Sequence, residues 1–252
     1  MIEVLILSIV QGVTEFLPVS SSSHLILISN YINFQSGGLS IDVSLHIGSL
    51  LAVLVYFNKE ILNFIENKDL FIKIFISSIP VMLIGYLLVQ TNFIDQLRNI
   101  KIIGWMTLFF GFFLYFCDRL KLEKSMDKNF TFKSAIIIGL FQIFSLIPGV
   151  SRSGITISAA RLLSFKRYDS AKISFLLSIP TLSAVSIFGL KNIFFSGNFS
   201  FSLLNIFSIF FSFFFSFITI KYFLGFIQKF SLGIFVIYRL LLGSLILIIA
   251  YL

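Results

Sequence analysis

The chain has 252 residues, of which 58% are hydrophobic and only 12% are charged. So few charges exclude a soluble domain, and the long apolar stretches are typical of a membrane protein. The net charge of +8 indicates a basic cytoplasmic surface rather than a nucleic-acid site, because membrane proteins keep excess lysine and arginine on that side. The single cysteine, Cys117, excludes an internal disulfide.

Eight apolar regions follow one another along the chain, and the absence of strand-type alternation predicts that all are helical. Two of them, 1–32 and 134–165, are broken in the middle, by Pro18 with a serine run and by Pro148 with Gly149. Each broken region predicts a hairpin that enters the membrane and returns. The other six regions are predicted to span the membrane, at 41–57, 74–91, 102–117, 173–190, 201–220 and 232–252.

The segments between these regions divide into a set rich in lysine and arginine and a set with few of these residues. The basic set carries 13 lysines and arginines, and the other set carries only three. The positive-inside rule places the basic set in the cytoplasm. Six spans then alternate consistently only if the second hairpin enters from the cytoplasm and the first from outside. The basic segments are 58–73, 118–133, 166–172 and 221–231; the outer segments are 33–40, 92–101 and 191–200.

The two hairpins resemble each other in sequence, because Gln11 aligns with Gln142 and Ser20 with Ser151 after one gap. Since they enter from opposite sides, the similarity predicts an inverted-topology repeat whose broken-helix tips meet near the bilayer midplane. The expected fold is an all-α integral membrane protein with six spanning helices and two re-entrant helical hairpins. We expect one polytopic domain over 1–252, with repeat halves at about 1–117 and 134–252 joined by the cytoplasmic loop 118–133.

The first tip, QGVTEFLPVSSSSH, contains the groups needed for a nucleophile with a proton acceptor. Gln11 and Glu15 are four residues apart and therefore face one side of a helix. A carboxylate at membrane depth costs about 2.5–3.5 kcal/mol, which indicates a function; an interfacial glutamate is the alternative. Hydroxyls and His24 follow closely, and together with the carboxylate they suit nucleophilic chemistry. Taken singly, the serines would cap the next helix.

The second tip, PGVSRSGIT, contains the groups needed to bind an anion. Arg152 keeps its charge and needs a partner inside a membrane; an ion pair with Asp169 or Glu15 is the structural explanation. The neighbouring hydroxyls, glycines and helix N-terminus favour a phosphate instead. We therefore expect a phosphate ester or anhydride to be attacked between the tips, and Glu15 to lie close to Arg152.

The segments QGVTEFLPVSSSSH, IDVSLHIGSLLAV and PGVSRSGITIS resemble, in order, signatures of the undecaprenyl-diphosphate phosphatases, also called bacitracin-resistance proteins. The resemblance covers essentially the whole chain. It departs from the family where many members have a second acid in place of Gln11, and where SSSSH replaces SSTGH or SSSAH. The resemblance implies an inner-membrane phosphatase that removes the terminal phosphate of a C55 polyprenyl diphosphate and so recycles the lipid carrier for cell-wall synthesis.

The resemblance also implies roles for single residues. Glu15 would act as a base or help to hold a divalent cation, Mg²⁺ or Ca²⁺, although one glutamate makes a weak site without substrate oxygens. Ser21 or His24 would attack the terminal phosphorus, with Ser21 preferred and His24 assisting, and Arg152 would clamp the diphosphate. The active site is expected to open toward the outer face. The expected substrate-binding residues are Gln11, Ser20, Ser22, Ser151, Ser153, Gly154 and Thr156.

Two other classes of membrane protein fit the sequence less well. A lipid flippase or anion transporter shares the inverted repeat, but a carrier needs no nucleophile. A phosphatase of the acid-phosphatase type needs a histidine after its arginine, whereas His24 and His46, the only two histidines, both precede Arg152. Homodimer formation, prenyl chain-length preference and flipping of the product stay open at this point.

Overall fold

The computed structural model describes residues 1–32, 38–62, 68–91, 93–120, 124–195 and 202–252. These residues are almost entirely helical, and their one strand-like contact is an isolated bridge between Lys124 and Phe165. A short 3₁₀ helix, Ile143–Leu146, continues from α9. The α-helices are α1 Ile2–Thr14, α2 Ser21–Ile32, α3 Leu39–Tyr56, α4 Asn58–Leu62, α5 Lys68–Gln90, α6 Phe93–Leu97, α7 Ile100–Asp118, α8 Met126–Asn129, α9 Phe132–Gln142, α10 Arg152–Leu162, α11 Arg167–Phe195, α12 Leu203–Lys229 and α13 Gly233–Tyr251.

Six of the described helices, α3, α5, α7, α11, α12 and α13, are long and apolar enough to cross a membrane. Each coincides with one of the six spans predicted from the sequence. Large apolar side chains such as Phe109, Phe112 and Leu241 are exposed on them, as expected for surfaces that face lipid. The prediction of an all-helical, multi-pass membrane protein is therefore confirmed.

Three segments predicted as cytoplasmic loops are helical instead, and one of them is 58–73, whose described residues all lie in α4 or α5. Segment 166–172 forms the first turns of α11, and segment 221–231 consists largely of the last turns of α12. These helices have 29 and 27 residues, more than the roughly 20 that cross the hydrocarbon core. They are therefore long enough to extend past the hydrocarbon, where long lysine side chains can reach water. The outer segment predicted at 33–40 lies mostly outside the described residues.

The two halves of the chain have the same order of elements, a hairpin followed by three long helices. Their packing is reciprocal: α1 packs on α12 as α9 packs on α5, and α3 packs on α12 as α11 packs on α5. The remaining large contacts pair α3 with α11 and α7 with α13. A two-fold relation between the halves would produce this pattern, so the fold is compatible with the predicted inverted repeat.

Small residues allow the hairpins to approach the spanning helices closely. A Cβ atom built on Gly12 of α1 would lie 2.6 Å from Cβ of Phe215 on α12, and one built on Gly139 of α9 would collide with the backbone of Ser77 on α5. Between α3 and α12, the Ser212 hydroxyl donates to the Leu45 carbonyl at 2.7 Å. Such close approach and interhelical hydrogen bonding are what hold helices together in lipid. They fix the two hairpins against the opposite half of the molecule.

Candidate active site

Each hairpin reverses at a serine with a left-handed backbone. Ser20 has φ 77° and Ser151 has φ 72°, a region that residues other than glycine adopt rarely. They are the two serines that the sequence alignment paired. Directly after each of them a helix begins, α2 at Ser21 and α10 at Arg152. The two tips therefore have the same local geometry.

Both helix N-termini open onto one cavity of about 210 Å³. Unpaired backbone N–H groups and the helix dipole make such an N-terminus favourable for anions. The N-termini of α2 and α10 meet at this cavity, and the side chain of Arg152 adds a positive charge. The cavity is lined by Thr14, Glu15, Ser20, Ser21, Ser22, His46, Val81, Ser145, Leu146, Ser151, Arg152, Thr181, Leu182 and Val185.

Glu15 is the centre of the hydrogen-bond network in this cavity. Its Oε1 accepts from Nη2 of Arg152 at 2.8 Å, and its Oε2 accepts from the Ser21 hydroxyl at 2.8 Å and from Nε2 of Gln11 at 3.1 Å. The two charged side chains are 8% and 13% exposed, so the ion pair is largely shielded from solvent. The expected proximity of Glu15 and Arg152, 137 residues apart, is confirmed.

Arg152 is held from a second side by the backbone of α11. Its Nη1 donates to the Ser174 carbonyl oxygen at 3.0 Å, so the guanidinium bridges the first hairpin and a spanning helix. The Ser153 hydroxyl also crosses between the tips, donating to the Leu17 carbonyl at 2.7 Å. These contacts determine where the arginine fork points before any anion binds.

A buried arginine that the sequence analysis did not select lies directly behind the tips. Arg239 of α13 is 0% exposed, and its guanidinium donates to backbone carbonyls of both hairpins. Nη1 reaches the carbonyls of Pro18 at 3.2 Å and Val150 at 3.0 Å, and Nη2 reaches that of Gly149 at 2.8 Å. The residue thus joins the two breaks. A cation within the apolar stretch GIFVIYRLLLGSL was the signal that could have revealed it.

The two histidines have different surroundings. His24 is bonded at both nitrogens, Nδ1 to the Ser20 carbonyl at 2.7 Å and Nε2 to the Tyr238 hydroxyl at 2.5 Å. His46 of α3 lines the cavity with Ser21, and its Nδ1 lies 2.7 Å from the Asp42 carbonyl. The sequence analysis expected His24 to assist Ser21, whereas the imidazole lining the cavity is that of His46, a residue given no role there.

The donor set does not fit a divalent cation held by the protein alone. Glu15 already accepts three hydrogen bonds, one of them from a cationic guanidinium. Across the described parts of the chain, there is no cluster of three histidine, cysteine, aspartate or glutamate side chains that could hold a metal ion. Hard cations prefer several carboxylate or carbonyl oxygens, so we derive no chemical step through a metal.

Comparison with known proteins identifies the family. A family model described as bacitracin resistance protein BacA matches residues 4–245. The chain belongs to the BacA family. It is 50% identical over 251 residues to a protein of Pelagibacter ubique named undecaprenyl-diphosphatase, covering 99% of this chain and 98% of that one. Relatives with the same name from Saccharophagus degradans and a Jannaschia species are 42% and 34% identical, with at least 94% of both chains covered.

Some residues expected to bind substrate in this BacA family member line the cavity, and others make hydrogen bonds within the protein. Ser20, Ser22 and Ser151 line the cavity. The backbone N–H of Gly154 donates to Ser151 Oγ at 3.1 Å, capping α10, and the fully buried Thr156 shares a hydrogen bond of 2.7 Å with Ser174. The Ser153 hydroxyl is likewise bonded within the protein, to the Leu17 carbonyl. Direct binding of phosphate by Ser153, Gly154 and Thr156 therefore stays a prediction.

Proposed function

We propose that this BacA family member is a membrane phosphatase that hydrolyses undecaprenyl diphosphate to undecaprenyl phosphate and inorganic phosphate. The reaction would recycle the lipid carrier for cell-wall synthesis in a bacterial inner membrane. The proposal rests on the match to relatives named undecaprenyl-diphosphatase over almost the whole chain. One structural observation carries it: the Ser21 hydroxyl donates to Glu15, which is paired with Arg152, where two helix N-termini converge.

The geometry supports Ser21 as the nucleophile and Glu15 as its base. The Ser21 proton already points at Glu15 Oε2 across 2.8 Å, the distance expected for direct proton transfer. As Oγ of Ser21 attacks the terminal phosphorus, its proton passes to Glu15 and the anhydride P–O bond breaks. Undecaprenyl phosphate then leaves. His24, whose nitrogens are bonded to Ser20 and Tyr238, is not needed for this step.

Charge that develops on the phosphoryl oxygens would be stabilised by groups already in place. Arg152 offers a planar fork of donors suited to two oxygens at once, and the first N–H groups of α2 and α10 add two helix N-termini. Because these donors are fixed by the fold, they need little reorganisation in the transition state. Ser22 and Ser151 on the cavity wall are further ligands for the diphosphate.

The size of the cavity indicates which part of the lipid it takes. Its volume of about 210 Å³ is below the roughly 300–1,000 Å³ of pockets for drug-sized ligands. It therefore suits a diphosphate headgroup and not a 55-carbon chain. Val81, Leu146, Leu182 and Val185 form an apolar part of its wall, from which the prenyl chain would continue along lipid-facing helix surfaces.

The positions of the lining residues support an active site that opens outward. With the predicted orientation, α3 begins on the outer side, and His46 lies seven residues from that end and ten from the other. Val81 on α5 lies nine residues from the outer end and 13 from the inner. At about 1.5 Å per residue, these side chains lie in the outer half of the membrane. Substrate would enter from the outer leaflet.

Phosphate release from purified protein in detergent tests the proposed function. The substrates are undecaprenyl diphosphate and, as a control, undecaprenyl phosphate. We expect phosphate from the diphosphate and little from the monophosphate, because a second phosphoryl group is needed to occupy both the arginine and the helix N-termini. No release from the diphosphate would refute the proposal. A flippase without phosphatase activity would give this result.

A further inference from the structure

One imidazole nitrogen of His46 is fixed by a hydrogen bond, and within the described residues the other is free. Its Nδ1 lies 2.7 Å from the carbonyl oxygen of Asp42. A carbonyl can only accept, so Nδ1 carries the hydrogen, and the neutral ring keeps its lone pair on Nε2. This Nε2 makes no hydrogen bond with any described part of the chain. His24 has no comparable free nitrogen, since Tyr238 occupies its Nε2.

The proposed chemistry needs a second base that the residues already assigned do not supply. Once Ser21 has attacked, Glu15 holds the serine proton and can no longer take one from water. Arg152 has no lone pair to offer. Of the side chains lining the cavity, His46 is the one that offers a free imidazole nitrogen as a proton acceptor.

We propose, on the basis of the phosphatase function above, that His46 is the general base that hydrolyses a phosphoserine formed at Ser21. A water molecule attacks the phosphorus, a new P–O bond forms, and the water proton passes to Nε2 of His46. The bond from phosphorus to Oγ of Ser21 breaks, and Glu15 returns its proton to that oxygen. Inorganic phosphate leaves, and the His46 proton is lost to phosphate or solvent.

A rapid-quench experiment separates this step from the first one. Wild type, His46→Gln and His24→Gln are mixed with undecaprenyl diphosphate labelled in its terminal phosphate. Glutamine keeps a hydrogen-bonding side chain but takes up no proton. For His46→Gln we expect a burst of one equivalent of undecaprenyl phosphate, accumulation of labelled protein, and steady-state turnover lower by about 10²–10⁴-fold. His24→Gln, the same change at the other imidazole, should accumulate no label, and adding Ser21→Ala to His46→Gln should abolish it.

The role of His46 and the proposed phosphatase function can be disproved separately. An active wild type with a His46→Gln variant that turns over at the same rate would overturn the inference alone. So would a His46→Gln variant that loses turnover without a burst and labelled serine, because His46 would then act before Ser21 is phosphorylated. An inactive wild type would overturn the phosphatase function itself. Thermal unfolding checks each variant, and His46→Asn replaces His46→Gln if the latter does not fold.

Discussion

Arg152 makes two directed contacts that a point charge would not reproduce. One nitrogen donates to Glu15 and the other to the Ser174 carbonyl. A simple counter-ion to Glu15 would need only the charge, whereas a diphosphate clamp needs the planar fork. The distinction between these roles can therefore be tested by a substitution that keeps the charge and changes the shape.

We predict that Arg152→Lys lowers the rate of phosphate release by about 10²–10³-fold, by analogy with the removal of one transition-state donor. Arg167→Lys is the matched control, because Arg167 pairs with Asp118 at 2.7 Å away from the cavity lining. Its turnover should stay near the wild-type value. Thermal unfolding of both proteins shows whether they are folded. Full turnover in Arg152→Lys would make the arginine a structural ion-pair partner only.

Sequence analysis found the site residues that are marked by their charge, and missed those whose role depends on how the helices pack. Glu15 and Arg152 are charged residues in apolar hairpin segments. Such charges need an ion-pair or hydrogen-bond partner in any membrane fold, so the sequence alone marks them. Arg239 meets the same criterion, but its partners are backbone carbonyls of the two breaks, which no residue pattern shows. The position of His46 on the cavity wall depends on how α3 is rotated against α1, and packing decides that rotation.

At the scale of elements, the second hairpin tip depends on one glycine. Gly149 has φ +100°, and a Cβ atom built on it would lie 2.6 Å from the carbonyl oxygen of Ile103 on α7. The breaks themselves were predictable from Pro18, Pro148 and the serine run. How closely the breaks pack against α7 and α13 was not predictable, since this packing depends on contacts between distant segments.

We predict that Gly149→Ala destabilises the protein by about 1–3 kcal/mol, from the unfavourable backbone conformation, and slows phosphate release by about 10–10²-fold through misplacement of Arg152. Gly225→Ala is the control, because a Cβ atom there meets nothing within 4 Å. Inside α12 it should be neutral or stabilise by about 0.5–1 kcal/mol. Equal unfolding temperatures and equal rates of phosphate release in Gly149→Ala and Gly225→Ala would contradict this prediction, because the second hairpin tip would then tolerate a side chain at Gly149.

Arg239 links both hairpins to α13, and its removal should affect the fold first. In Arg239→Leu, three buried carbonyls of the two tips lose their donor. Each unsatisfied buried group costs about 1–3 kcal/mol, so we predict a clear fall in the unfolding temperature together with loss of turnover. Arg119→Leu is the comparison, because Arg119 is exposed and stacks on Tyr115. A similar small shift in both would argue against Arg239 as the link.

At the scale of the whole molecule, reciprocal packing brings the two hairpin tips together from opposite halves. Span number and order were predictable because hydropathy is read directly from the chain, whereas the orientation inferred from lysine and arginine stays a prediction. Helix ends were not predictable, since α11 and α12 extend beyond the spans predicted at 173–190 and 201–220. An active site shared between the halves is compatible with the prediction that their hairpins enter the membrane from opposite sides.

Thiol labelling of intact cells tests this orientation. In a protein without Cys117, an impermeant reagent should label Thr91→Cys, at the outer end of α5, and leave Lys128→Cys of α8 unlabelled until the cells are opened. Both positions are exposed. The opposite pattern would invert the predicted topology and place the cavity in the cytoplasmic half of the membrane.

The central claim is that the Ser21 hydroxyl, activated by Glu15, attacks the terminal phosphate between the two tips. The most direct test compares phosphate release from undecaprenyl diphosphate by Ser21→Ala and by Ser22→Ala, its neighbour on the same cavity wall. We predict that Ser21→Ala falls to the background rate, while Ser22→Ala, which loses one phosphate contact worth about 0.5–1.5 kcal/mol, keeps at least about a tenth of wild-type turnover. Substantial turnover in a folded Ser21→Ala protein would contradict the account.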